Sequence, residues 1–221
     1  MSAAPDANQV KAGLDIEERS FAIIDGESPD RERFSSAAWT VARRMIHAVG
    51  DISIGSDLAL PDDGIKAAVA ALKAGAPIWT DSRMAAAGMS LSKLRAANPA
   101  YASLPPRSLY DISGVREEAE RRGITRSYAA VERIADQLPN AIVAIGNAPT
   151  ALEAVLDLCA ARGFAPRVVI GMPVGFVGAA ESKERLIAAG GIPYLSVRGR
   201  RGGSSLAAAA INALAALANA G

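Results

Sequence analysis

Short apolar segments, many of them rich in β-branched residues, alternate along this chain with longer stretches in which apolar residues recur at helical spacing. This alternation is typical of parallel strands joined by crossover helices. It therefore predicts an α/β fold with a mostly parallel sheet flanked by helices. The predicted strands are residues 52–54 continuing towards Leu60, 77–80, 108–112, 141–145, 167–171 and 194–197.

Three helices are marked by residues typical of helix ends. Asp62 is predicted to cap a helix that Gly75 ends. Pro149 stands where the first turn of a second helix begins. Ser204 or Ser205 is predicted to cap the last helix. The apolar stripes are, in the same order, Ile65, Val69 and Leu72; Leu152, Val155, Leu156 and Cys159; and Leu206, Ala210, Leu214 and Leu217.

The single histidine of the chain, His47, lies in a fourth predicted helix from about Ser35 to Val49. The core-facing stripe of this helix predicts that His47 points away from the core, beside Arg43 and Arg44. The carboxyl end of the helix favours the protonated imidazolium, and the two arginines oppose it by a similar amount. A bound polyanion would shift this balance towards protonation. Such a histidine can deliver a proton when a ligand arrives, and a solvated surface histidine is the alternative. The predicted stripe consists of Ala38, Val41, Ala42, Met45 and Val49.

Composition excludes several classes of partner. The chain has 221 residues, with 24 Lys and Arg against 23 Asp and Glu, so no net field would hold a nucleic acid or an anionic membrane. One cysteine allows neither an internal disulfide nor a thiolate-rich metal site, which fits a reducing cytoplasm. We expect a cytoplasmic protein with a flexible extension over residues 1–12 and a single domain over residues 13–221.

The loops after three predicted strands have unusual compositions. GNAPT (Gly146–Thr150) leads into a helix, where free backbone amides would favour an anionic group. GMPVGFVGAAES (Gly171–Ser182) contains further glycines, and GRRGGSS (Gly199–Ser205) combines arginines, glycines and a capping serine. Open parallel sheets bind ligands beyond the carboxyl ends of their strands, so the loops predict a rim suited to carboxylates or phosphates. Ordinary turns and solvated arginines are the alternative.

Other familiar chemistries lack their residues. No second histidine is present for a serine triad, and neither HExxH nor paired cysteines occur, so hydrolase and zinc sites lose their usual support. The dinucleotide fingerprint GxGxxG and the phosphate loop GxxxxGK[ST] are absent as well, which disfavours a nucleotide-sugar or phosphate enzyme. Several alanine-rich helices bury little apolar area each, which favours additional burial between subunits.

Seven segments, in chain order, resemble the precorrin-8X methylmutase family of corrinoid biosynthesis, called cobalt-precorrin-8 methylmutase in the anaerobic branch. The resemblance covers nearly the whole chain. The segments are ERSFAII (Glu18–Ile24), RRMIHAVGD (Arg43–Asp51), ALKAGAPIWTD (Ala71–Asp81), TRS (Thr125–Ser127), AIGNAPTAL (Ala144–Leu152), GMPVGFVGAAESK (Gly171–Lys183) and GRRGGS (Gly199–Ser204).

The resemblance implies a three-layer, flavodoxin-like α/β fold and a homodimer that binds substrate near the subunit interface. It implies an isomerase that moves a methyl group from C11 to C12 of precorrin-8X to give hydrogenobyrinate, with no redox cofactor and no metal in the chemistry. A non-catalytic corrinoid carrier and the cobalt version of the reaction are alternatives. The implied catalytic residue is His47, and the implied substrate contacts are Arg19, Ser20, Arg44, Thr80, Arg126, Asn147, Thr150 and Arg200.

Two positions depart from the family pattern. Relatives often carry a cysteine within the predicted strand 108–112, and some carry one directly before the aspartate that corresponds to Asp81. This chain has Leu109 and Tyr110 in the first region and Thr80 in the second. The wall of the expected pocket therefore differs at these points.

Overall fold

A computed structural model describes residues 7–220 of the chain, with side chains from residue 15 onward. Within these residues six strands form one sheet in the order β1-β6-β5-β4-β2-β3. Only β1 and β6 pair antiparallel, so the predicted mostly parallel sheet is confirmed. The strands are β1 (Leu58–Ala59), β2 (Ile78–Thr80), β3 (Arg107–Ser108), β4 (Ile142–Ile145), β5 (Val168–Gly171) and β6 (Tyr194–Val197).

Helices cover both faces of the sheet. In β4, Ile142 and Ala144 pack into one apolar core, and Val143 and Ile145 pack into the other, as the alternation of side chains along a strand requires. The first core contains α1, α2, α3, α5 and α10, and the second contains α6 to α9. The helices are α1 (Ala7–Glu27), α2 (Ser36–Val49), α3 (Asp62–Lys73), α4 (Arg83–Ala87), α5 (Leu91–Ala97), α6 (Val115–Arg122), α7 (Arg126–Arg133), α8 (Pro149–Arg162), α9 (Ala179–Ala188) and α10 (Ser204–Ala220).

Two predicted strands are wrong over most of their length. Residues 52–57 form a 3-10 helix, because the Asp51 carboxylate accepts a hydrogen bond from the Ser53 amide at 2.9 Å. The strand predicted over residues 108–112 ends at Ser108, whose hydroxyl accepts a hydrogen bond from the Tyr110 amide at 3.1 Å. In both places a short polar side chain binds backbone that a strand would need for its ladder.

Two of the predicted helix caps are also wrong. Asp62 lies inside α3 and accepts a hydrogen bond from the Ser35 hydroxyl at 2.5 Å. Ser204 is the first residue of α10, and its hydroxyl lies 2.8 Å from the hydroxyl of Ser82. Both side chains therefore serve contacts between elements that are distant in sequence.

The other helix predictions agree with the structure, apart from one apolar position. Pro149 begins α8, and Cys159 is buried on the predicted stripe of that helix. Val49, predicted to face the core, is exposed at the end of α2. Among the helices of residues 7–220, none combines the length and apolar character that a bilayer span requires. Helix α1 begins at Ala7, within the segment predicted as a flexible extension, and residues 1–6 lie outside the described part.

Helix α3 approaches the sheet at Gly64. A Cβ atom built on this glycine would lie 2.1 Å from the carbonyl oxygen of Tyr194, at the start of β6. No larger side chain fits without moving backbone, so Gly64 sets the distance between α3 and the sheet.

We expect Gly64→Ala to lower the free energy of unfolding by about 2 kcal/mol or more, because α3 must shift away from β6. The matched control is Gly26→Ala in α1, where a Cβ atom would meet nothing within 4 Å. Alanine should be neutral there or stabilise the helix by up to about 1 kcal/mol. Urea unfolding measures both values, and equal effects would contradict the proposed steric origin.

Candidate active site

The buried carboxylate of Asp81 organises the carboxyl edge of the sheet. Asp81 directly follows β2 and accepts hydrogen bonds from the amides of Gly146 at 2.9 Å, Asn147 at 2.7 Å and Ala148 at 2.5 Å. Burial raises the pKa of Asp81 above its ordinary value of 3.8, and the three donors oppose that shift. The expectation of free amides in GNAPT is therefore wrong for these three groups.

The loop between β6 and α10 is fixed by Arg201. Its guanidinium donates to Asp57 at 2.5 and 3.0 Å and to Asp51 at 3.0 Å. It also donates to the hydroxyl and the carbonyl oxygen of Ser53. Since Asp51 comes two residues after the end of α2, these bonds tie the His47 end of that helix to the loop that carries Arg200.

Lys183, on α9, supports the same loop through a hydrogen bond to its backbone. Its side chain is fully buried, and Nζ donates to the carbonyl oxygen of Arg201 at 2.5 Å. Burial lowers the pKa of Lys183 to about 8, although the carboxylates of Asp57 and Glu184 oppose the shift. The ammonium group therefore helps to hold the backbone of the β6–α10 loop in place.

His47 belongs to α2, and its side chain faces α1. Its ring meets the Phe21 ring edge-on, with 5.4 Å between the ring centroids and an interplanar angle of 73°. Beside it is an open cavity of about 330 Å³, whose wall includes Ser20, Ile24, His47 and Ile52. The prediction that His47 points away from the main core agrees with its partial exposure, and α1 gives it an apolar neighbour. An imidazole on a partly apolar cavity is available to a bound molecule.

The arginines near His47 are already engaged. Arg44 makes a bidentate ion pair with Glu17, at 2.9 and 2.7 Å, and lies 4.9 Å from the Phe21 ring centroid. The hydrogen bond from Arg44 lowers the pKa of Glu17, so the pair is ionised at neutral pH. Arg19 borders a separate shallow hollow on α1, and the hydroxyl of Ser20 donates to the carbonyl oxygen of Ile16 at 2.8 Å. A substrate carboxylate must therefore compete with Glu17 for Arg44.

The remaining predicted residues lie at the carboxyl edge. Thr80 is fully buried, and its hydroxyl donates to the carbonyl oxygen of Ser82 at 2.8 Å. Asn147 is exposed, and the hydroxyl of Thr150 accepts a hydrogen bond from Thr125 at 2.9 Å. Exposed Arg200 lies over the Phe176 ring, 5.3 Å from its centroid.

Arg126 begins α7 at the same edge. Its guanidinium lies 3.8 Å from the centroid of the Tyr110 ring and donates to the carbonyl oxygen of Tyr110 at 2.6 Å. The structure thus divides the predicted site residues into two groups. One group, Arg19, Ser20, Arg44 and His47, lies on α1 and α2; the other, Thr80, Arg126, Asn147, Thr150 and Arg200, follows the strands. Among the described side chains, no hydrogen bond or ion pair joins a member of one group to a member of the other.

Several residues that shape these two groups had no role predicted from the sequence. Asp81 had a usable signal, because a lone acid directly after a buried strand lies where the loops of a parallel sheet meet. Phe21 and Glu17 had no such signal, because nothing in the hydrophobic pattern indicated that α1 packs against α2. Arg201 and Lys183 stood within quoted segments, but their partners lie far away in the chain.

Comparison with known proteins gives one consistent result. Residues 15–217 match the family model described as precorrin-8X methylmutase. The precorrin-8X methylmutases of a Sinorhizobium species and of Pseudomonas aeruginosa are each 43% identical, the first over 96% of this chain and 98% of its own length, the second over 93% and 96%.

More distant relatives and solved structures agree. A cobalt-precorrin-8 methylmutase of Leptospira interrogans is 35% identical over 91% of this chain and 92% of its own length. A solved precorrin-8X methylmutase of Thermus thermophilus has a TM-score of 0.82 and 37% identity, and the match covers 94% of this chain and 97% of that structure.

The buried ammonium of Lys183 predicts a specific pH dependence. Because burial lowers the pKa of Lys183 from 10.5 to about 8, the unfolded chain binds more protons than the folded one between these values. The wild type should therefore gain unfolding free energy relative to Lys183→Met as the pH rises through this window, by at most about 3 kcal/mol. Urea unfolding at several pH values measures the difference.

The control is Lys66→Met on the exposed side of α3. Its difference from the wild type should stay constant over the same pH window. A constant difference for Lys183→Met as well would contradict the buried charge.

Proposed function

The chain belongs to the precorrin-8X methylmutase family, and on that premise we propose that His47 is its catalytic residue. The protein is an isomerase of this family, which catalyses an intramolecular methyl shift. The single observation that carries the assignment of His47 is its position on an open cavity beside Phe21, with its ring available to a ligand.

The proposed chemistry uses one proton donor. In the reaction the bond from C11 to the methyl group breaks and the bond from C12 to the methyl group forms, while the electrons of the conjugated ring rearrange. An imidazole N–H that protonates or hydrogen-bonds the ring system lowers the barrier to this shift. A rigid pocket keeps the macrocycle in reacting geometry. This assignment requires no redox cofactor and no metal ligand among the site residues.

Substrate binding follows from the charge of the ligand. The tetrapyrrole carries acetate and propionate carboxylates, which suit guanidinium and amide donors. We propose that Arg19, Ser20 and Arg44 contact the substrate from the side of α1 and α2. On the carboxyl edge we propose contacts by Arg126, Asn147, Thr150 and Arg200. Thr80 was predicted as a further substrate contact. Because its buried hydroxyl already donates to the carbonyl oxygen of Ser82, we propose that it supports the edge instead.

The proposed substrate is the cobalt-free precorrin-8X. Both relatives that are 43% identical carry this name, whereas a relative at 35% identity is named for the cobalt substrate. The carrier alternative predicts that the native protein binds corrinoids without converting precorrin-8X.

The proposed assembly is a homodimer with the site near the subunit interface. Phe176 and Val177, in the loop after β5, are 83% and 88% exposed, and Val174 is exposed beside them. A cluster of exposed large apolar side chains is typical of a surface that a partner covers. A cytoplasmic location is also proposed, on the single buried cysteine, Cys159, which has no disulfide partner.

Replacing His47 tests the enzyme assignment. His47→Ala should lower kcat by about 100-fold or more, as expected for the loss of a general acid, while hydrogenobyrinate still binds. His47→Asn keeps an N–H donor of similar size but transfers no proton, so it separates protonation from hydrogen bonding. The measurements are conversion of precorrin-8X and of its cobalt analogue, and product binding by absorbance. Full activity in His47→Ala would exclude His47, and no conversion by the wild type would favour the carrier.

The dimer has its own test. Sedimentation should give twice the mass of one chain for the wild type, and Phe176→Glu should shift the mass towards a single chain because it buries a charge in the interface. Leu91→Glu, which alters another exposed apolar side chain, is the matched control. A monomeric wild type would contradict the dimer, and a dimer unaffected by Phe176→Glu would remove this loop from the interface.

A further inference from the structure

A second cavity lies at the far end of the carboxyl edge, beside β3. It has a volume of about 470 Å³, and its wall includes Trp79, Arg83, Arg107, Ser108 and Asp111. None of these residues belongs to the substrate contacts proposed above. They flank Thr80, Leu109 and Tyr110, the positions at which this chain departs from the family pattern.

Three guanidinium groups gather around two aromatic rings at this place. Arg107 lies 5.5 Å from the Trp79 ring centroid. Arg83 and Arg126 lie 5.4 and 3.8 Å from the centroid of the Tyr110 ring. Arg83, in the wall of the cavity, thus shares the Tyr110 ring with Arg126, which belongs to the proposed substrate site.

The positive charge of this cluster is only partly neutralised. Asp111 pairs with Arg83 at 2.6 Å. The wall of the cavity contains no other carboxylate. Within residues 15–220, the guanidinium of Arg107 makes no hydrogen bond and no ion pair. An exposed guanidinium fixed over an indole ring, with no competing carboxylate, is suited to an anionic group.

A buried donor at the cavity also has no partner. Trp79 is only 6% exposed, yet its indole Nε1 has no acceptor among the described residues. Nε of Arg126 is likewise buried without an acceptor. Buried donors are normally satisfied, and Trp79 lies in the wall, so an oxygen ligand in the cavity would complete the hydrogen bonding of its indole.

We infer that this cavity is a carboxylate-binding subsite, with Arg107 as its principal cation and Arg83 as a second. It rests on the proposed function, because the ligand is one of the acetate or propionate side chains of the tetrapyrrole. A planar carboxylate accepts two parallel hydrogen bonds from a guanidinium, and an apolar indole floor strengthens them. The subsite acts on binding and specificity, not on the methyl shift itself.

The first experiment measures hydrogenobyrinate binding and turnover. Arg107→Gln should raise the Kd for hydrogenobyrinate and the KM by about 10-fold, as expected for the loss of a charge-assisted hydrogen bond, and should leave kcat within about twofold. The control is Arg116→Gln, an exposed arginine on α6 that lines neither this cavity nor the one beside His47. Wild-type affinity in Arg107→Gln would overturn the subsite. A fall in kcat at unchanged KM would overturn its role in binding.

The second experiment does not depend on the methylmutase reaction. The chain has two tryptophans, so protein labelled with ¹⁵N at the indoles gives two signals, which Trp79→Phe assigns. Citrate, as a tricarboxylate probe, should shift the Trp79 signal in the wild type and in Arg116→Gln, and not in Arg107→Gln. No shift with citrate would overturn the subsite. An equal shift with inorganic phosphate would overturn its assignment to carboxylates. A citrate response without precorrin-8X conversion would retain the subsite and reject the proposed function.

Discussion

The arrangement of the carboxyl edge depends on one buried carboxylate. Asp81 leaves β2 and gathers the first three amides after β4, so the ends of two neighbouring strands and the start of α8 are fixed together. Burying an acid is costly, and three backbone donors are the compensation that makes it tolerable. Gly146 completes the arrangement, because a Cβ atom there would lie 2.6 Å from Cα of Ser204 at the start of α10. One interaction thus positions the β4–α8 loop and the last helix at once.

The regular part of the fold could be predicted from sequence because its signals are local. The buried runs that became β2, β4, β5 and β6 and the apolar stripes of α2, α3, α8 and α10 are periodic over their own length. The errors at residues 52–54 and 108–112 have a different origin, since Asp51 and Ser108 bind nearby amides and turn the chain. Hydrophobic pattern cannot distinguish a short strand from a 3-10 turn when the deciding bond comes from a polar side chain.

The candidate site was less predictable than the fold, because its geometry is set by distant partners. The residue types at GNAPT and GRRGGSS predicted a site at the carboxyl edge of the sheet, where both loops lie. They did not reveal that Asp81 occupies the amides of the first loop or that Asp51 and Asp57 hold Arg201 in the second. The pairing of Arg44 with Glu17 joins residues 27 positions apart on separate helices, and neither residue alone indicates it. The sequence pattern therefore predicts the elements and the residue types of the candidate site, and the structure shows which partners hold those residues.

Two sets of arginines, which differ in whether a carboxylate holds them, help to reconcile a nearly neutral protein with an anionic substrate. Arg43, Arg44 and Arg201 are held by carboxylates and fasten helices and loops to one another. Arg43 and Arg44 also lie over the Phe21 ring. Arg107, Arg126 and Arg200 lie over the rings of Trp79, Tyr110 and Phe176, but none of these three has a carboxylate partner within residues 15–220.

Stacking on an aromatic ring restrains a guanidinium without neutralising it, so less conformational entropy is lost when a ligand carboxylate binds. A net charge near zero is therefore compatible with the proposed anion-binding surface. The acids that balance it are used to fasten the scaffold, and the aromatic-stacked cations remain available along the carboxyl edge of the sheet.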